Sequence, residues 1–140
     1  KYLNKISGPL LDRIDLHVEV TPVSFSELSS KEKGESSKDI REKVILSREI
    51  QENRFSESEK TYSNSHMNSK HIQEFCILDN ESSDMLKTAM EKLNLSARAY
   101  DRILKVSRTI ADLAASENIE SQHIAEAIQY RSLDREGWAG

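Results

Sequence analysis

The spacing of apolar and polar positions changes character along the chain. In SGPLLDRIDLHVEV, residues 7–20, Ser7 stands where it can cap a short helical turn. Pro9 falls in the first turn, where its missing N–H costs nothing, and Leu10 and Leu11 follow. Ile14, Leu16, Val18 and Val20 then alternate with Asp15, His17 and Glu19, the period of two that predicts a strand with one apolar and one polar face. A strand covered on both faces reads as nearly continuous apolar residues, so this alternation predicts an edge or half-exposed strand, ended by Pro22. A lone strand can neither satisfy its backbone nor bury its apolar face. It is therefore expected to belong to a sheet whose other strands lie outside this sequence, and here to fold back on the rest of the chain, pair with another copy or be disordered.

Residues 24–38, SFSELSSKEKGESSK, hold no sustained apolar period and read as a linker, with Phe25 and Leu28 able to make one anchoring turn. Helical spacing takes over next. DIREKVILSREIQENRF, opened by Ser37 or Asp39, predicts a helix to about Phe55 with Ile40, Val44 and Ile50 on one side and Arg41, Arg48 and Glu52 on the other. A second polar loop, SESEKTYSNSHMNS, precedes a short helix opened by Ser69 with Ile72, Phe75 and Cys76. Another helix is predicted over 82–93 from Leu86, Ala89, Met90 and Leu93. Ser96 opens the most regular helix, in which Tyr100, Ile103, Leu104, Ser107, Ile110, Ala111 and Ala114 keep one face; Ser121 opens the last, with Ile124, Ala127, Ile128 and Arg131. The fold class is mainly α: a helical bundle with one remnant edge strand of an α/β core.

Composition narrows this reading without redirecting it. Charged residues make up 31% of the 140 and the net charge is -4, which excludes a generally basic nucleic-acid coat while leaving room for a local basic face. One cysteine cannot form an internal disulfide, no run approaches the ~18 apolar residues of a membrane span, and no signal-peptide pattern is present. The expected setting is the cytoplasm, with no membrane partner. The first residue is Lys and the chain enters at once into patterned sequence, so it reads as a piece cut from a longer protein, with RSLDREGWAG as a natural end.

Two arginines stand apart from the other charges. Arg13 sits at a helix-to-strand junction between Asp12 and Asp15, and two readings are open: a surface arginine paired with these neighbours, or a side chain presented outward by a rigid corner. Arg98 falls in the first turn after Ser96, where the helix macrodipole makes a cation cost a few tenths to about 1 kcal/mol. The acid three residues on, Asp101, has Lys105 four residues beyond it, and Arg102 lies one turn further along the same face as Arg98. Two arginines beside free amides are unfavourable in isolation and well suited to an anion, so the spacing points to a phosphate site. Asp101 with Lys105 and Arg108 with Asp112 are i,i+4 pairs, and account for those charges by local pairing. The scattered His17, His66, His71 and His123 and the lone Cys76 give no metal site. Arg41, Arg48 and Arg54 interleave with Glu42, Glu49 and Glu52 and read as a solvated face, while Trp138 is placed at an edge of the bundle or against a missing domain.

The blocks SGPLLDRIDLHVEV, LNLSARAYDRILKVSRTIADL and AEAIQYRSLDREGW, in this order and spacing, resemble the C-terminal part of the Mg-chelatase-like AAA+ ATPases, the ComM or YifB branch, across nearly the whole chain. The resemblance implies that residues 1–23 are the remnant of the AAA+ core, 24–38 a linker and 39–140 the helical lid. It implies that Arg13 is an arginine finger reaching the γ-phosphate held by a neighbouring subunit, and Arg98 the sensor-2 arginine of the lid, with Arg102 beside it at the nucleotide. It further implies ATP and Mg in the parent protein and copies of the chain in a ring, a hexamer. For the ComM branch it implies work on DNA in competence, of the helicase or branch-migration kind; for the chelatase branch, driving Mg²⁺ into a porphyrin. The GxxxxGK[ST] phosphate loop and the Walker-B acid are absent from this sequence, so this piece is expected to hold no cofactor and hydrolyse no ATP. A competing class is a non-enzymatic helical module whose arginines bind a partner protein's acids or DNA phosphates.

Overall fold

Each long helix starts where a side chain captures a free backbone amide. A computed structural model of the chain describes residues 7–11, 13–25, 29 and 34–131. Asp12, Leu28 and Trp138, which entered the sequence reading, lie outside the described residues. After the short turn α1 (Gly8–Leu11) come α2 (Ser37–Arg54), a 3₁₀ turn (Asn64–His66), α3 (Ser69–Phe75), α4 (Asn80–Lys92), α5 (Ala97–Leu113) and α6 (Ser121–Gln129). Ser36 caps α2 by accepting from the Asp39 amide at 3.2 Å, and Ser96 caps α5 by accepting from that of Ala99 at 3.1 Å. Asp79 accepts from Ser82 at 2.8 Å, which draws the start of α4 ahead of the expected residue 82. Ser121 does not cap α6. Glu120 stands at the cap, and its amide donates to His123 Nδ1 at 3.0 Å.

Helix α5 is the centre. It packs against α2, α3, α6 and the 3₁₀ turn, while α4 leans on α6. Its buried face carries Ala99, Ile103, Leu104, Ser107 and Ala111, meeting Leu86 from α4, Ile72 from α3, and Ile124 and Ala127 from α6, with Phe55 and Met67 closing one end. Each such large apolar side chain taken from water contributes about 1.5–3 kcal/mol. One parallel bridge, Leu78 to Ile119, ties the two connections that precede α4 and α6.

Helices α4 and α5 both end on a residue in the left-handed region, Asn94 at φ 48° and Ala115 at φ 53°. In each case the next amide reaches back five residues, Leu95 to the Met90 carbonyl at 3.0 Å and Ser116 to that of Ala111 at 2.8 Å. This Schellman closure satisfies carbonyls that a helix end otherwise leaves bare. Asn tolerates that conformation; Ala pays for its Cβ.

Two expectations meet a different outcome. The apolar positions of α2 predict a packed stripe, yet Ile40 and Val44 are 47% and 38% exposed, and the helix's buried residues are Ser47 and Gln51. Its C-terminal half lies on α5; the face of its first half meets no core among the described residues. The alternation over residues 14–20 forms no strand among the described residues, because no neighbouring strand is there to pair with it. Its beginning folds back on the bundle instead: the His17 amide donates to the Tyr130 carbonyl at 2.7 Å, and Arg131 Nη1 donates to the Ile14 carbonyl at 2.6 Å. Val18 and Val20, further on, stay 69% and 86% exposed.

Candidate functional site

Arg98 is positioned by the cap on Ser96 and by the burial of its neighbour Ala99, which together turn residue 98 outward in the first turn of α5. It is exposed and has no ionic or hydrogen-bond partner among the described residues. The first turn contains no acid, so the guanidinium and the helix's own positive end face solvent together. One turn on, Arg102 behaves differently. It is three-quarters buried and forms an ion pair with the Asp15 carboxylate through Nη1, while its buried Nε has no hydrogen-bond partner among the described residues.

That pair joins the amino-terminal turn to α5. Arg13, two residues before Asp15, has its amide held by the Leu10 carbonyl at 3.0 Å, and its exposed side chain has no partner among the described residues. Of the two acids that flank it in sequence, Asp15 is therefore committed to Arg102. The arrangement brings the turn of Arg13 to the first two turns of α5, with Arg98 set about 6 Å along the helix from Arg102. Arg98 and Arg13 are exposed and without a partner among the described residues, and Arg102 is engaged.

Two residues that reasoning from the sequence passed over build this junction. Arg131 was grouped with the apolar positions of the last helix; it is 1% exposed and bonded to a carbonyl 117 residues away, a separation that no local pattern encodes. His17 is expected on the polar side of a strand; it is 6% exposed, and neither ring nitrogen has a hydrogen-bond partner among the described residues.

A second group of charges serves the fold. Asp112, whose side chain is fully buried, accepts two bonds from Arg54 at 2.7 and 2.6 Å and one from Arg108 Nε at 3.1 Å. Asn64 joins Arg54, Thr109 and Asp112, and its amide donates to Gln51 Oε1 at 2.9 Å. Arg108 also donates to the carbonyls of Ser116 and Glu117, tying the end of α5 to the following loop. The i,i+4 pair of Arg108 with Asp112 is thus present. Arg54 does not join the solvated face expected of it, because Asp112 draws it inward. Lys105 donates to the Ser65 carbonyl at 3.2 Å instead of pairing with Asp101.

The remaining candidate chemistry is quiet. Among the described residues no group of three or more His, Cys, Asp or Glu is placed to hold a metal ion. Burial pushes the Cys76 thiol up to about 11, which leaves it unreactive near neutral pH. A cleft of about 860 Å³ lies between the loop after α2 and α3, lined in part by Phe55, Lys60, His71 and Phe75; Arg13, Arg98 and Arg102 do not line it. No described helix is long and apolar enough to cross a membrane.

Similarity to known proteins follows the same division. Residues 34–131 match the family model for the C-terminal part of magnesium chelatase subunit ChlI, and residues 1–28 match the model for magnesium chelatase subunit ChlI itself. The competence protein ComM of Haemophilus influenzae is 46% identical over 136 residues, covering 96% of this chain and 26% of that protein. The YifB proteins of Salmonella typhimurium and Escherichia coli are 39% and 42% identical, again over 96% of this chain and 26% of theirs. The chain spans about a quarter of the length of these relatives. On a match that covers the whole bundle, this chain belongs to the Mg-chelatase family, as a mainly helical C-terminal domain of the ChlI type.

Proposed function

We propose that this chain is the lid portion of a Mg-chelatase-like AAA+ ATPase and supplies arginines to ATP sites between the subunits of a ring. In this reading residues 39–140 are the lid, 24–38 a linker and 1–23 the corner of the core. Arg98 is sensor 2, and Arg13 the finger that reaches a neighbour's γ-phosphate. The observation that carries it is the pair of exposed guanidiniums that have no partner among the described residues, one of them in the first turn of a capped helix. A cation in that place is unfavourable to the helix and favourable to a phosphate.

The chemistry asked of these side chains is electrostatic. As the γ-phosphoryl transfers, charge spreads over its equatorial oxygens, and a rigid guanidinium placed there speeds turnover by roughly 10³ to 10⁵. ATP is the substrate, and Mg²⁺ would supply charge neutralisation at its phosphates; among the described residues no group of three or more His, Cys, Asp or Glu is placed to hold that ion.

We take the parent to be a motor that works on DNA, a hexamer in the cytoplasm, in preference to a subunit that inserts Mg²⁺ into a tetrapyrrole; the similarity to a relative named a competence protein supports that choice of branch and bears on neither ring size nor location. The test uses the parent protein. Arg13→Ala should leave nucleotide binding within about twofold while turnover falls by at least 10³. Unchanged turnover would sink the finger assignment. Forked or three-stranded DNA should stimulate ATP hydrolysis; no stimulation by any DNA would return the chelatase reading to first place.

A further inference from the structure

Three of the four residues that follow Arg13 are fastened to the bundle, at α5 and just past the end of α6. Asp15 pairs with Arg102 on α5, the Ile14 carbonyl accepts from Arg131, and the His17 amide donates to the Tyr130 carbonyl at the end of α6. Charge and burial make these attachments unequal in kind. Arg131 is fully buried and holds a backbone carbonyl, so it fixes where the segment lies. Asp15 is half exposed, with its carboxylate 52% accessible, so it can be released without unfolding anything. Its partner Arg102 stands one turn from Arg98 on the same helix. Any displacement of α5 that follows an anion at Arg98 is therefore transmitted to Asp15, two residues from Arg13.

We infer that Asp15 is a positioning residue: through its ion pair with Arg102 it makes the Arg13 turn ride with the lid, so that the state of the phosphate at Arg98 sets where Arg13 points. This rests on the proposed roles of Arg13 and Arg98. It also gives Arg102 a different task from the phosphate contact that its spacing implied. A guanidinium already saturated on one side by a carboxylate is a strut between two elements, and the phosphate is left to Arg98. Misplacing a reacting group by about 1 Å costs on the order of 10²-fold in rate, so a strut at this place should be visible in turnover.

The experiment compares Asp15→Asn, Arg102→Gln and the double charge swap D15R/R102D in the parent ATPase, beside Arg13→Ala. Asp15→Asn should lower kcat about ten- to 100-fold while KM for ATP stays within about twofold. The swap should recover most of that loss, because it restores the strut, whereas a phosphate ligand at 102 would not be replaced by an arginine at 15. In the present chain, Asp15→Asn should speed amide exchange at His17, with the bundle core unchanged. Turnover unaffected by Asp15→Asn while Arg13→Ala abolishes it would overturn the strut and spare the finger. A tenfold rise in KM for Arg102→Gln, with no rescue by the swap, would overturn it in favour of a direct phosphate contact. If Arg13→Ala is silent too, it is the finger that fails, and the His17 exchange rate then decides the strut by itself.

Discussion

Arg54 and Arg108 differ from Arg13 and Arg98 in everything except side-chain type. The first two converge on the buried Asp112 and each donates three hydrogen bonds; the second two are exposed and have no partner among the described residues. The contrast teaches that the number of charges on a helix says little about their use. What separates the groups is the presence of a buried acid. Asp112 costs free energy to bury, and that cost is offset only with both arginines and Asn64 in place. Among the described residues no such acid reaches Arg13 or Arg98.

The largest effect that can break this division is at Asp112. Asp112→Ala strands two inward-turned guanidiniums and should destabilise the chain by about 3–5 kcal/mol in urea unfolding. A loss under about 1 kcal/mol would mean that the network is ornamental and the two groups of arginines are alike. Next is Arg131→Ala, which removes the donor to the Ile14 carbonyl and should cost about 1–3 kcal/mol, with amide exchange rising over residues 14–17. Smaller and opposite in sign, Ala115→Gly relieves a Cβ at φ 53° and should stabilise by about 0.5–1 kcal/mol, a control that touches neither group. Arg98→Ala should change stability by no more than about 0.5 kcal/mol, and upward, since it removes a cation from a helix N-terminus. A marked loss of stability there would place Arg98 with the structural group.

The smallest effect is electrostatic and depends on pH. The Ser82 amide holds the exposed Asp79 carboxyl below its usual range. An acid shifted downward by folding contributes stability above its unfolded pKa and loses it as pH falls through its folded value. Asp79→Asn should therefore flatten the stability profile below about pH 4 and leave the neutral range alone. An unchanged acid limb would show that the cap holds equally well without the charge.

Much of the bundle was legible because its signals are local. Ser96 caps α5 as read, the period from Ile103 to Ala111 names its packed face while Tyr100 and Ala114 at its ends stay exposed, and Arg108 with Asp112 follows from their spacing. Ser121 was displaced as a cap by Glu120 one residue earlier, since two adjacent residues both suit the position and the fit of His123 decides between them. What pairs at long range was not legible. Nothing near Arg54 announces an acid 58 residues on, and nothing near Ile14 announces Arg131. Periodicity identifies a face and not its partner, which is why Ile40 and Val44 were placed on a packed side that the described bundle does not cover. The candidate site divides in the same way: the place of Arg98 in the first turn of α5 could be read from Ser96, while the engagement of Arg102 could not.

Cys76 gives the molecule a clock. Its thiol packs beside the Leu104 carbonyl at the seam of α3 and α5, with a pKa pushed up to about 11 by burial. At pH 7 only about one thiol in ten thousand is then in the reactive thiolate form, against a few per cent once the seam opens and the thiol meets water. Because the sequence holds a single cysteine, the rate at which a disulfide reagent modifies the protein reports the opening of one seam, free of contributions from elsewhere. Substitutions at the arginines can be ranked by that rate, without ATP and without labels.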